Sequence, residues 1–361
     1  MISSIPAFLR NSFKRTTILL SRVANSIYWM SRYIERAENV ARFIDVNLQL
    51  SLDQFATGRS DPWQPLVAVT GDAEDFEERY DGYSRRNVMR FLTLDRDNPN
   101  SIARCVAAAR DNARTVRDII TSEMWQQINA LHITVTRTGN EAIREDRPVG
   151  FYHAVKNGTL LFDATTQATM SHGPAFDFLK LGRALERADK TSRVLDVKYF
   201  LLLPDPADVG SAMDVVQWAA LLRCVGALEM YRQTHGVITP DRVAGFLILD
   251  RDFPRAIAHC LLEAEHALAH VIGPDDNPFT QNAQRKLGRL RSQLQFGQIT
   301  EIIERGLHET IDDLQRQNND IHDAINHAFF EYTPPADLQP HPHAYTHPDT
   351  PPNQLQDQRQ S

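Results

Sequence analysis

Two short runs in this 361-residue chain bring carboxylates and guanidiniums together at helical spacing. The first holds Arg32, Glu35, Arg36, Glu38 and Arg42, and the second holds Arg183, Glu186, Arg187, Asp189 and Arg193. At about 100° per residue, Glu35, Glu38, Arg42 and Asp45 fall within roughly one quadrant of a helix, while Arg32, Arg36 and Asn39 lie on a neighbouring strip beside the apolar face. Glu38 with Arg42, and Asp189 with Arg193, have the favourable acid-first i,i+4 order, and Arg32 with Glu35 recurs as Arg183 with Glu186. Two chemistries fit that pattern. Duplicated ion pairs can fix the packing of two related helices, because the planar arginine fork grips a carboxylate in two places. Alternatively, both motifs face a central cleft, where the carboxylates bind an amine or metal, or Glu35 or Glu186 acts as acid or base, and the arginines bind a carboxylate or phosphate.

The elements that must position these residues are helices. Ile27, Met30, Ile34, Ala37, Ala41, Ile44 and Leu48 recur at spacings of three and four with no glycine or proline between them. That predicts one helix with a buried face over about 19–50. The same reading covers about 98–130, 175–203, 212–233, 254–271 and 282–330, and LHITVT at 131–136 is the one stretch ambiguous between helix and strand. YWMSRYIERAENVARFIDV (28–46) realigns at an offset of 151 with the segment that ends at Val197. VMRFLTLDRDNPNSIARC (88–105) realigns at an offset of 155 with VAGFLILDRDFPRAIAHC (243–260), sharing eleven of eighteen positions. Unrelated sequences of average composition share roughly one position in such a window, so the chain carries a duplication. The expected architecture is an all-α helical bundle built from two tandem, diverged copies of one multi-helix unit related by a pseudo-two-fold. Residues 1–18 read as an N-terminal extension, 19–165 as the first copy, 166–332 as the second, and 333–361 as a disordered Pro/His/Gln-rich tail. A Pro/Asp-rich connector after Leu203 absorbs the four-residue difference between the offsets.

One asymmetry separates the copies. Arg110, Asn112, Arg114 and Arg117 correspond to Glu265, Ala267, Ala269 and Ile272, so a basic polar ladder stands in the first copy alone. It can hold a carboxylate or phosphate, hold Glu123 and other local acids, or form a solvated face. The LDRD segments at 94–97 and 249–252 read as structural, with Asp97 or Asn98 capping a helix that has Pro99 in its first turn. His259, Glu263, His266 and His270 stack on one helical face, but the first copy has Arg104, Ala108, Asp111 and Thr115 there. The paired ligand set of a di-iron bundle is therefore missing, and no metal or cofactor is expected. No Walker A loop, GxGxxG, GxSxG or HExxH occurs. Cys105 with His132 or His153 makes a thiol dyad only if the fold brings them together.

Three cysteines without a CxxC fit a reducing cytoplasm. A net charge of -7 and a pI near 6.0 argue against nucleic acid or an anionic membrane as the main partner, while leaving room for a local basic patch. Arg10, Lys14, Arg15 and Arg22 interrupt the N-terminal apolar run, so no stretch there has spanning length.

LLSRVANSIYWMSRYIERAENVARFIDV, LDRDNPNSI, ARDNARTVRDIITSEMW and TMSHGPAFDFLKLGRALERADKTSRVLDV, in this order, resemble the alpha-E family of helical bacterial proteins named for a Glu-Arg motif, over about 19–330. Residues 1–18, HGPAF at 172–176 and the tail depart from the family pattern. The resemblance implies a helical fold and a setting beside circularly permuted ATP-grasp-type ligases, transglutaminase-like peptidases and sometimes a proteasome-related peptidase, in the making or processing of a peptide or peptide tag. It leads to the expectation of a noncatalytic binding or scaffold component with those partners. The alternative is an enzyme acting on a peptide or amide bond.

Overall fold

The structure is a computed structural model that describes residue 19 and residues 21–54, 63–144, 148–201, 211–274 and 277–331. The expected N-terminal extension, most of the Pro/Asp-rich connector and the expected C-terminal tail lie outside the described residues. Those described form fifteen α-helices, a final π-helical turn and no strand. The first seven helices are α1 (Ser21–Gln54), α2 (Gln64–Thr70), α3 (Ala73–Arg79), α4 (Arg85–Thr93), α5 (Ile102–Thr115), α6 (Ser122–Arg144) and α7 (Val149–Thr169). The remaining eight are α8 (Pro174–Leu201), α9 (Ala212–Cys224), α10 (Leu228–His235), α11 (Pro240–Leu249), α12 (Ile257–Ile272), α13 (Pro278–Phe296), α14 (Ile299–Arg305) and α15 (Leu307–Ile325). None among the described residues is long and apolar enough to cross a membrane.

The two long helices that carry the Glu-Arg runs, α1 and α8, lie against each other at the centre. Helices α5 and α7 pack on α1, α12 and α15 pack on α8, and one apolar core runs through all of them. The short helices cross over: α2 rests on α8, and α9 rests on α1. The periodic apolar residues of α1, from Ile27 to Leu48, are all buried. Gly182 marks the close approach of the central pair, since a Cβ there would collide with the Tyr28 carbonyl oxygen and Ser31 Oγ. At the offset of 151, Ser31 is the counterpart of Gly182, so two small residues at matching positions face each other where the helices meet.

Three long helical stretches expected from periodicity are broken. The 98–130 stretch divides after Thr115, and α6 restarts where Thr121 Oγ accepts the Met124 N–H at 3.2 Å. The 212–233 stretch divides at Gly226, whose φ of 67° ends α9, and the 282–330 stretch divides at Gly297 and at Gly306, whose φ is 104°. LHITVT is helical, within α6. Its Leu131 and Val135 face the core, and the Thr134 and Thr136 hydroxyls donate back to the Ala130 and His132 carbonyls, so both period and polarity are those of a helix.

The LDRD loops are locks rather than caps. Asp95 Oδ1 accepts the Asp97 N–H at 3.0 Å, and Asp250 Oδ1 accepts the Asp252 and Phe253 N–H groups at 2.9 and 2.7 Å. The N-cap of α5 is Ser101, whose hydroxyl accepts the Arg104 N–H, in place of the expected Asp97 or Asn98.

Candidate functional site

The Glu-Arg runs meet across the α1–α8 contact and pair reciprocally. Glu186 accepts from Arg36 at both oxygens, 2.7 Å to Nε and 3.0 Å to Nη2, and from Arg32 Nε at 2.8 Å. Glu35 accepts from Arg187 at both oxygens, 3.1 Å to Nε and 2.7 Å to Nη2. The i,i+3 pairing expected of Arg32 with Glu35 and of Arg183 with Glu186 is thus replaced by pairing between helices. Arg183 instead pairs with Asp163 on α7. The i,i+4 pairs do form within each helix, Glu38 with Arg42 at 2.8 Å and Asp189 with Arg193 at 3.0 Å. Arg42 and Arg193 also reach outward to the left-handed glycines that end α9 and α2, since a Cβ on Gly226 or Gly71 would lie 3.3 or 3.2 Å from their Nη1 atoms. A guanidinium beside the terminal carbonyls of a helix suits its dipole.

Each motif has a second acid, and around each of the two central helices one cation bridges the two acids. Around α1 that cation is Arg255, from the loop before α12, with 2.7 Å to Glu35 Oε1 and 2.5 Å to Glu38 Oε1. Around α8 it is Lys190, with 3.0 Å to Asp189 Oδ2 and 3.6 Å to Glu186 Oε1. At the two repeat offsets Lys190 corresponds to Asn39, and Arg255 corresponds to Asn100. Around α1 the cation thus comes from the position aligned with Asn100, and around α8 from the position aligned with Asn39, so both cations lie beyond residue 166 and both asparagines before it. Asn39 Nδ2 donates to Glu35 Oε1 at 2.9 Å, and Asn100 accepts from Arg36 Nη1 at 2.9 Å while donating to Asp72. Sequence reasoning missed Arg255, Lys190 and Asn100. The signal that identifies them is a cation set against asparagine at both aligned positions.

Glu35 is 2% exposed and Glu186 fully buried. Burial alone pushes the Glu35 carboxyl up, but the Arg187 and Arg255 guanidiniums outweigh it and hold the group well below the usual carboxylate range. Glu186 is governed the same way, burial raising it and Arg36, Lys190 and Arg32 pulling it far down. Both carboxylates are therefore ionised at neutral pH, and their oxygens are taken by guanidinium donors. A cavity of about 30 Å³ beside Glu35, lined also by Arg183, Arg187 and Lys180, has room for a water or two. Burial followed by the Arg187 charge lowers Arg183 to about 10.

Arg32 Nη1 donates to the hydroxyl of buried Tyr28 at 3.2 Å, which lies 3.0 Å from His322 Nδ1. Tyr28 is thus hydrogen-bonded both to Arg32 and to a neutral His322.

Within the basic ladder Arg110 and Arg117 both lie over the Trp125 ring, at 5.6 and 4.4 Å, while Arg114, Asn112 and Glu123 stand apart. Arg110 also donates to Asn129 at 2.7 Å. Arg114 makes an exposed pair with Asp111 at 3.4 Å, Asn112 donates back to the Ala108 carbonyl, and Glu123 is exposed at the start of α6. Along the histidine face of α12, Glu263 pairs with Lys180 and His259 Nδ1 lies 2.7 Å from the Arg251 carbonyl oxygen. No group of three or more metal-ligating side chains occurs among the described residues. The Cys105 thiol is buried, pushed up to about 12 and donated to the Pro99 carbonyl, while His153 faces Asp45; the imagined dyad is absent.

Residues 19–330 match the Alpha-E family, described as a predicted alpha-helical domain with a conserved ER motif. Uncharacterized proteins of Mycobacterium bovis and of Mycobacterium tuberculosis strain CDC 1551 are each 23% identical to the chain over 257 residues, and one of strain H37Rv is 22% identical. Each match covers 66% of this chain and 28% of the relative, so the chain spans well under half the length of the curated relatives it matches. No solved structure matches significantly.

Proposed function

The chain belongs to the alpha-E family, and on that premise we propose that it is a noncatalytic binding or scaffold component of a system that makes, modifies or processes a peptide. In this reading it works beside an ATP-grasp-type ligase and a transglutaminase-like protein in the cytoplasm. The family resemblance supports the partners, and the three free cysteines support the compartment. The noncatalytic role rests on one observation: the carboxylates of both Glu-Arg motifs are buried, ionised and fully engaged by arginines. A general acid or base needs a pKa near working pH and a free edge toward substrate, and neither Glu35 nor Glu186 offers these. The aligned blocks support two tandem copies, 19–165 and 166–332, clamped together along α1 and α8, with the face carrying Arg110, Arg114 and Arg117 offered to a partner.

The test is to purify the tagged full-length chain from its native cell, identify what co-purifies, and assay amide-bond formation and cleavage with and without the chain. A retained ligase or transglutaminase-like protein whose turnover depends on adding the chain is the expected result. Turnover by the chain alone, with no partner present, sinks the scaffold reading in favour of an enzyme.

A further inference from the structure

Away from the central network, the ends of α3, α4 and α6 and the first LDRD loop enclose an open groove of about 540 Å³. That volume lies within the range of small-molecule sites, roughly 300–1,000 Å³. Its lining includes Arg86, Arg90, Arg96 and Arg144, all exposed, and none of the four guanidiniums has a partner among the described residues. A fifth arginine, Arg79, is already engaged by Asp75 and Asp95 at 3.1 and 3.0 Å. Asp97 shares the lining and leaves the excess positive. Placing four like charges around one groove repels them from each other, so the fold gains nothing from the arrangement.

The second copy provides an internal comparison. At the offset of 155, the counterparts of Arg86 and Arg90 are Asp241 and Gly245. A Cβ on Gly245 would lie 3.4 Å from Ile299, so apolar packing of α14 on α11 stands where the first copy has Arg90. Arg251, the counterpart of Arg96, donates to the Gln295 carbonyl at 2.5 Å. The unit thus folds without a cluster of free guanidiniums at this place, and the first copy alone carries one.

We propose that this groove binds a small molecule bearing two or more linked phosphates. A guanidinium fork matches phosphate bidentately, and adjacent phosphates present several charged oxygens within reach of several forks at once. The inference stands apart from the scaffold reading and survives its failure.

The test is calorimetric titration of the full-length chain with sodium tripolyphosphate at about 0.15 M salt. Saturable binding is expected, weakened about tenfold by Arg90→Gln and again by Arg144→Gln, as the loss of a charge-assisted hydrogen bond brings. Arg232→Gln removes the same charge from an exposed site on α10 and should leave affinity unchanged. Circular dichroism melts establish that the variants remain folded. A nucleoside diphosphate arm identifies the source of the phosphates: tighter binding than tripolyphosphate means a nucleotide, and equal binding means the phosphate chain alone. Absence of saturation by about 1 mM overturns the proposal. So does equal weakening by Arg232→Gln, or binding of citrate or a glutamate oligopeptide as tight as that of tripolyphosphate.

Discussion

Replacing Glu186 by Gln isolates what the central network contributes. The amide keeps the shape of the side chain and removes its charge, in a fully buried position faced by Arg32, Arg36 and Lys190. A glutamine has one acceptor oxygen for donors that now occupy two, so one guanidinium is left against an NH₂ group. Breaking a buried pair from one side costs about 3–5 kcal/mol. Glu35→Gln is milder, about 2–3 kcal/mol, because Arg255 keeps its 2.5 Å contact with Glu38 and chiefly Arg187 is stranded. With an unfolding entropy of about 2.1 cal/mol/K per residue over roughly 310 residues, 4 kcal/mol lowers Tm by about 6 °C. Urea denaturation followed by circular dichroism and tryptophan fluorescence measures both variants against the parent. The folded carboxylate is depressed, so its contribution is fully present above the unfolded pKa of about 4.3 and is lost as pH falls through the folded value. The gap between parent and Glu186→Gln therefore narrows in acid. Stability of Glu186→Gln within about 1 kcal/mol of the parent, or greater damage from Glu35→Gln, refutes the reasoning.

Two further expectations concern the same helix pair. Gly182→Ala drives a methyl into the Tyr28 carbonyl and Ser31, forcing α1 and α8 apart, and should cost about 1–3 kcal/mol in urea denaturation; an unchanged midpoint would mean that the two helices are not held at that distance. His322 is lowered to about 4, first by burial and then by Arg32. Its unfolded form protonates near 6.5, so between about pH 6.5 and 4 the unfolded state binds the extra proton and stability falls as pH falls. His322→Phe keeps an aromatic ring beside Tyr28 and should flatten that part of the stability–pH profile, which denaturation at a series of pH values reads directly.

Much of this was open to sequence reasoning, and what was not has a physical cause. The apolar period of α1 fixes its buried face, and helical geometry brings Glu38 to Arg42 and Asp189 to Arg193. A helical wheel, however, relates residues only to their own helix. It makes Arg32 a neighbour of Glu35, yet the arginine turns outward to Glu186 because that carboxylate lies across the contact at Ser31 and Gly182. Breaks at Gly226 and Gly306 depend on left-handed backbone that an apolar period does not encode. The groove arginines were hidden because they are spread from Arg86 to Arg144, each unremarkable until α4 and α6 bring them together.

Comparison of the two aligned stretches of sequence separates what the fold demands from what it does not. A cation bridges the two motif acids on both α1 and α8, supplied by Arg255 from the loop before α12 in the first case and by Lys190 of α8 itself in the second. Two buried acids a turn apart repel unless a cation stands between them, which is a requirement of folding and holds around either helix. The free arginines of the groove have the opposite distribution: Asp241 and Gly245 stand at the positions aligned with Arg86 and Arg90, and the four charges are unfavourable to one another. No folding requirement accounts for them. By the same reasoning the Glu-Arg motif, though it defines the family, belongs to the clamp between α1 and α8, and ligand chemistry is better sought where the copies differ.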